Sequence, residues 1–228
     1  MNAPVAVFAF NRPDHLRRTL QTLMDCTGAD RSPITVFCDG PRSDAEKDAV
    51  AATRQTARDL LGNATDIREA ATNQGLARSI IGGVSELVER DGRAIVIEDD
   101  LDLAPCFIEY MNAALNRYAD TESVFQISGH MFDVPAFSDR TEAIFLPFTT
   151  TWGWATWDRA WTHFDPEARG WERLNSDRAL RSRFNLNGTY DYTALMKMQM
   201  AGKSNSWGIR WYWSVFEQNG LVLFPPKS

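Results

Sequence analysis

The chain has 228 residues and a formal net charge of −6, from 30 acidic and 24 basic side chains. That length can bury a full core in one large domain or two small ones, and the acidic balance argues against nucleic acid as the main partner, though not against a nucleotide held locally. Cys26, Cys38 and Cys106 are widely spaced and form no C-x-x-C, and no apolar run approaches a membrane span, so neither a disulfide framework, a zinc site nor a spanning segment is indicated.

The first element is Val5-Ala6-Val7-Phe8-Ala9-Phe10, a continuous apolar run and hence a buried strand. Asn11-Arg12-Pro13-Asp14 supplies a cap and a first-turn proline, and Leu16, Leu20, Leu23 and Met24 make a helical stripe behind them. Ile34 to Cys38 predicts a second strand, ending in Asp39-Gly40-Pro41, which serves a turn or a ligand. A polar, alanine-rich helix follows over 44–61, then a short strand over 65–69. Asn73-Gln74-Gly75 leads into an amphipathic helix with Leu76, Ile80, Val84, Leu87 and Val88 inward, closed by Asp91-Gly92. Asn73 and Gly75 thus stand at a helix N-terminus, where backbone N–H groups favour an anion and where Asn and Gly are also ordinary caps.

Next, Ala94-Ile95-Val96-Ile97 runs straight into Glu98-Asp99-Asp100. The apolar run reads as a buried strand, and Pro105, Phe107, Ile108, Met111 and Leu115 as the helix after it. Adjacent carboxylates raise one another's pKa unless a cation compensates, and a hard divalent metal carrying phosphate oxygens would do so. Acids ahead of a helix also complement its dipole. The repeated strand–helix order predicts an α/β fold with a mostly parallel sheet and right-handed crossovers. Asn11, Arg12, Asp39, Asn73 and Glu98 to Asp100 then all fall at the carboxyl edge of that sheet, where open α/β folds bind ligands.

Beyond this the pattern loosens. Strands are expected at 124–127, 143–148 and 221–224, a helix opening at Trp152-Gly153-Trp154 and continuing through Trp161, and a helix over 191–200. All eight tryptophans lie between Trp152 and Trp213, which suggests either an aromatic core or a surface for a flat polar ligand such as a sugar ring. His130 and His163 stand alone and read as surface or satisfied core histidines.

Phe10-Asn11-Arg12-Pro13, Cys38-Asp39-Gly40, Asn73-Gln74-Gly75-Leu76-Ala77 and Val96-Ile97-Glu98-Asp99-Asp100-Leu101, in that order and spacing, resemble a GT-A-type nucleotide-sugar glycosyltransferase. More narrowly, the chain resembles bacterial relatives of the N-acetylglucosaminyltransferase I family, whose metal motif is also E-D-D before a helix. The resemblance implies a Rossmann-like GT-A sheet in which residues 1–120 hold the nucleotide-sugar and 121–228 form a Trp-rich acceptor-side part of the same domain. It implies that Asp100 binds Mn²⁺ or Mg²⁺ bridging a donor diphosphate, with Glu98 and Asp99 contacting ribose or metal-bound water. Asp39 would meet the base, Phe10, Asn11, Arg12 and Asn73 would line the same pocket, and Arg78 would add to the pyrophosphate site. Trp152, Trp154, Trp207 and Arg210 are expected on the acceptor side.

The resembled activity is transfer of a hexosyl or N-acetylhexosaminyl group, with inversion, from a UDP-linked donor to a glycan or glycoconjugate. A cytoplasmic place in polysaccharide biosynthesis follows from it, with peripheral membrane association open. The acidic base that the family carries in a W-D-type motif is missing from Trp207-Gly208-Ile209-Arg210-Trp211, and Asp191 and Glu217 are the substitutes to consider. Related sequences continue past Pro225-Pro226, so a C-terminal truncation, or a protein without that closing segment, is expected. Two alternatives are kept. A non-catalytic carbohydrate-binding or scaffold domain would explain the missing base, and a sugar-nucleotide pyrophosphorylase would need a Gly-rich loop where Phe10-Asn11-Arg12-Pro13 has no glycine.

Overall fold

A computed structural model describes residues 2–62, 65–137 and 139–228. Its eight strands are β1 (Val5–Ala9), β2 (Ile34–Cys38), β3 (Asp66–Glu69), β4 (Arg93–Glu98), β5 (Val124–Ser128), β6 (Ile144–Leu146), β7 (Trp154–Trp157) and β8 (Leu221–Phe224). They form one sheet in the order β3-β2-β1-β4-β7-β5-β8-β6. The first half, β3-β2-β1-β4, is parallel throughout, as its strand–helix alternation requires. β7 then runs antiparallel between β4 and β5, β8 returns parallel to β5, and β6 closes the edge antiparallel to β8. The mostly parallel α/β sheet flanked by helices is the fold class that the sequence pattern predicts.

Three helices pack on one face: α1 (Pro13–Met24), α2 (Lys47–Leu61) and, after the other-face helix α3 (Leu76–Asp91), α4 (Phe107–Arg117). Later come α5 (Asp158–Trp161), α6 (Arg173–Ser176), α7 (Arg178–Phe184), α8 (Tyr192–Met200) and α9 (Trp207–Glu217). Alternation along β1 explains the two cores. Val5, Val7 and Ala9 meet Leu16 and Leu20 of α1, whereas Ala6 and Phe8 meet Ile80 and Val84 of α3. Pro13 opens α1 at its first turn, as its fixed φ favours, but neither Asn11 nor Arg12 caps the helix with its side chain.

The stretch read as a helix from Trp152 is instead the strand β7, with only Asp158–Trp161 helical. Its side chains alternate: Ala155 and Trp157 join the core under α1 and α4, and Trp154 joins the core under α3 and α9. Trp and Thr favour strands, and pairing on both sides, to β4 and β5, fixes the run as one.

α9 is apolar nearly all round because it is buried on two sides. Trp207, Trp211 and Val215 face the sheet, while Ile209, Tyr212 and Trp213 face a second cluster with Leu174, Phe184 and Met196. The tryptophans are therefore mostly core, and each buried indole shown donating finds an acceptor. Trp211 donates to Gln126 Oε1 at 2.7 Å, and Gln126 in turn donates to the Thr150 carbonyl at 2.7 Å. Among the described residues no helix is long and apolar enough to cross a membrane.

Trp211→Ala is expected to cost about 3–5 kcal/mol by denaturant unfolding, since it removes a fully buried ring and leaves Gln126 without its donor. A loss below about 1 kcal/mol would contradict this account of the core.

Candidate functional site

A cleft of about 360 Å³ opens at the carboxyl ends of β1, β2 and β4. It is lined by Phe10, Asn11 and Arg12 after β1, Asp39 and Arg42 after β2, Asn73 and Gly75 before α3, and Glu98 and Asp99 at the end of β4. Parallel register places these ends side by side, with Ala9 opposite Cys38 and Phe8 opposite Glu98. Phe8 and Phe37, stacked with ring centres 5.0 Å apart, form an apolar wall of the same cleft.

Asp39 is buried, and both its oxygens are engaged within the protein. Its Oδ1 accepts the N–H groups of Gly40 and Gln74, at 2.8 and 2.7 Å. Its Oδ2 accepts the Gly75 N–H and the Asn73 amide, both at 2.9 Å. A carboxylate has about four lone-pair sites, so this one is saturated within the protein. It clamps the loop before α3 onto the end of β2. The clamp brings the chains so close that a Cβ on Gly40 would sit 2.4 Å from the Thr72 carbonyl carbon. Gly75 follows with φ +76°, a left-handed value that leads directly into Leu76. Asn73 thereby lines the cleft with its amide nitrogen already committed, to Asp39 and to the Gly40 carbonyl.

The three consecutive acids divide. Asp99 is buried, ion-paired with Arg12 and approached by the Phe10 N–H at 3.4 Å. Burial raises its pKa despite the opposing pull of Arg12. Asp100 points outward, 42% exposed, with one oxygen 3.1 Å from the Arg12 guanidinium. The Glu98 carboxyl makes no hydrogen bond among the described residues, and it is pushed up to about 7, first by burial and then by the charges of Asp100 and Asp99. Burial works against the charge on Arg12, yet the two aspartates outweigh it and hold it more firmly protonated.

A second cavity, of about 450 Å³, adjoins the cleft through Leu76 and Glu98. Asp100, Thr151, Trp152, Ser206, Trp207 and Gly208 complete much of its lining. Here β7 matters: running antiparallel to β4, it begins at the end where the acids stand, and Trp152, two residues before it and 52% exposed, lines this cavity with Glu98 and Asp100. Of the residues expected on the acceptor side, Trp152 and Trp207 line this cavity, Trp207 only by an edge because it is buried. Trp154 does not reach it, being 1% exposed and stacked on Trp207. Arg210 turns away, donating to the Ser206 and Pro166 carbonyls and to Asn205.

Both base candidates have structural roles elsewhere. Asp191 caps α8, accepting from Ala194 N at 3.0 Å and from the Asn185 amide. Glu217, at the end of α9, is ion-paired with Arg173. Neither lines the cleft or the adjoining cavity. Arg78 is exposed and also outside the lining, which takes Leu76 and Ser79 from the first turn of α3 instead.

Sequence reasoning missed Arg42. It lies 5.0 Å over the Phe10 ring and is tied to Glu46, which also approaches the Asn11 amide at 3.5 Å. Its position three residues after Asp39, in the loop after a predicted strand, was the available signal.

No family model matches the chain. Among solved structures it is similar to a mannosyltransferase, PcManGT from Pyrobaculum calidifontis, solved with GDP-Man and Mn²⁺, at 15% identity and a TM-score of 0.45 over 68% of this chain and 45% of that one. A putative nucleotide-diphospho-sugar transferase from Desulfovibrio desulfuricans G20 matches at 12% identity and 0.45, over 88% and 77%. The galactosyltransferase LgtC, solved with donor and acceptor sugar analogs, matches at 12% identity and 0.45, over 75% and 64%. The chain thus spans under half of the mannosyltransferase's length and under two thirds of the galactosyltransferase's.

Because folding raises the Glu98 pKa, its ionisation costs stability as pH rises through about 7. Glu98→Gln, uncharged throughout, is therefore expected to gain melting temperature over the parent, in metal-free and nucleotide-free protein, by more at pH 8 than at pH 5. An equal difference at both pH values would contradict the assigned environment of Glu98.

Proposed function

We propose that the chain is a metal-dependent glycosyltransferase that moves a sugar from a nucleotide donor, UDP-linked in the first instance, to a hydroxyl of a glycan or glycoconjugate. The observation that carries this reading is the convergence of Arg12, Asn73, Glu98 and Asp99 from separate loops and strand ends on one cleft, with a second cavity, lined by Asp100, joined to it at Glu98. A cleft of that size with apolar rings on one side and charged groups on the other suits a nucleoside diphosphate. The N-terminus of α3 opens on the same cleft, through Leu76 and Ser79, and favours negative charge there.

A divalent cation fits the residues present, within limits. Among the described residues no group of three or more His, Cys, Asp and Glu side chains is gathered into a cage. Mg²⁺ in phosphate-handling sites needs none, being held by one or two carboxylates together with the phosphates and water. Asp100 is the exposed acid of the three, and Glu98 has an uncommitted carboxyl beside it. These two are the proposed holders of Mn²⁺ or Mg²⁺, while Asp99 is spent on Arg12. When bound, such a cation supplies Lewis-acid neutralisation of the charge growing on the departing diphosphate.

The rest of the work falls to the chain. Asp39 holds Asn73 and Gly75 in place, and Arg12 keeps the acidic loop in register with the end of β1. An acceptor hydroxyl placed in the second cavity attacks the anomeric carbon. A new C–O bond forms, the bond to the diphosphate oxygen breaks, the nucleoside diphosphate leaves with the bonding pair, and the hydroxyl's proton passes to water. Inversion, and kinship with bacterial relatives of the N-acetylglucosaminyltransferase I family, are the finer parts of this proposal, supported by the order of the motifs. So is the division into a donor part over 1–120 and an acceptor part over 121–228.

One observation favours a second reading. With Asp191 and Glu217 engaged as cap and ion pair, among the described residues no acidic side chain besides Glu98 and Asp100 lines the second cavity, as a binding domain without catalysis would have it.

UDP is expected to bind at least tenfold more tightly with Mn²⁺ than with EDTA by calorimetry, and Asp100→Ala to abolish that difference without unfolding the chain. Equal affinity in both conditions would overturn the metal assignment. Intact Mn²⁺-dependent binding, with no hydrolysis or transfer from any donor in a UDP-sugar and GDP-sugar panel, would favour the binding domain.

A further inference from the structure

A third cavity continues from the second and differs from both in chemistry. At about 550 Å³ it is the largest of the three, and it shares Thr151, Trp152, Ser206 and Gly208 with its neighbour. Donor cleft, middle cavity and this one therefore follow in series, joined first at Glu98 and then at Trp152. Its walls come from two aromatic groups. Phe132 packs on Trp152 and Phe148, with ring centres 5.8 and 6.1 Å apart, and Tyr192 packs on Tyr190 at 4.7 Å, with Leu195 nearby in the lining.

Two properties stand out. Among the described residues the lining has no charged side chain and no Asn or Gln, only Thr, Ser and Tyr hydroxyls among the rings and aliphatic groups. In addition, four of the nine large apolar side chains that the described chain exposes line this one cavity: Phe132, Trp152, Tyr190 and Leu195. Exposed apolar groups scattered singly are ordinary, whereas a concentrated set marks a binding surface.

A further sugar unit would bring a ring of hydroxyls, each losing water on entry, and planar charged or amide partners to replace that water are what this lining lacks. A lone aromatic ring also fits poorly: roughly 150 Å³ is enough for benzene, several times less than this cavity offers. An extended hydrocarbon chain meets both conditions.

We propose that this cavity receives a hydrocarbon chain carried by the acceptor, so that the acceptor is an amphiphile whose sugar or alcohol end enters the middle cavity while its chain lies between Trp152 and Tyr190. The proposal rests on the transferase reading for the word acceptor. The binding it describes does not depend on catalysis.

The test is calorimetric binding of methyl, hexyl and octyl β-glucosides and of phenyl β-glucoside to the whole chain, below micelle-forming concentrations. Affinity is expected to rise with chain length, by about fourfold for each added methylene as apolar burial grows. Octyl is expected to exceed phenyl, and Leu195→Asp and Tyr190→Ser, both at exposed positions, to lose at least tenfold in octyl affinity. Mn²⁺-dependent UDP binding, measured on the same variants, is expected to stay within twofold of the parent. Octyl and methyl glucosides binding equally, no binding by any alkyl glucoside, or phenyl binding as tightly as octyl would each overturn the proposal. Loss of UDP binding in the parent chain would instead count against the transferase reading and leave the chain-length series to stand or fall alone.

Discussion

The parallel register of β1 with its two neighbours is the constraint on which the rest of the site depends. Pairing Ala9 with Cys38 and Phe8 with Glu98 brings three strand ends to one level, so residues far apart in sequence share a single cleft. Such an edge is a stack of polar groups that must be held against mutual repulsion and against water. The chain does this with two carboxylates turned inward. Asp39 is saturated by backbone and amide donors, and Asp99 is paired with Arg12. Their burial leaves Glu98 and Asp100 as the acids with unspent capacity, at the boundary between two cavities.

The second half of the chain supplies what the parallel half lacks. By running antiparallel between β4 and β5, β7 begins at the end where the acids stand, so that Trp152, just ahead of it, lines the cavity beside them. α9, anchored by Trp207 and Trp211 under the sheet, presents Ser206 and Gly208 to the same space. A polar cleft, a mixed cavity and an apolar cavity follow from that arrangement in a fixed sequence.

The parallel half was legible because buried strands bounded by amphipathic helices are written in short-range pattern: Val5 to Ala9, Ile34 to Cys38 and Arg93 to Glu98 fall where the apolar runs place them. β7 was not, since four residues are too few to show a period, and pairing with β4 and β5 comes only with folding. In the site, the clustering of Arg12, Asp39, Asn73 and Glu98 was readable from strand ends, but their partners were not. Nothing local reveals that Asp39 spends its oxygens on Gln74 and Gly75, or that Asp191 and Glu217 are taken up by a helix cap and an ion pair. Those outcomes depend on chain segments brought together only by folding. The same holds for the tryptophans, where a compositional bias left core and surface undecided and burial separates Trp154 from Trp152.

The central claim is that the acidic end of β4 holds a cation against a nucleoside diphosphate. Anomalous scattering from crystals grown with UDP and Mn²⁺ tests it most directly. The account predicts one manganese peak at coordination distance from Asp100, joined to the diphosphate in the cleft between Arg12 and Asn73. Manganese absent from the acids, or a nucleotide bound elsewhere on the molecule, would contradict it.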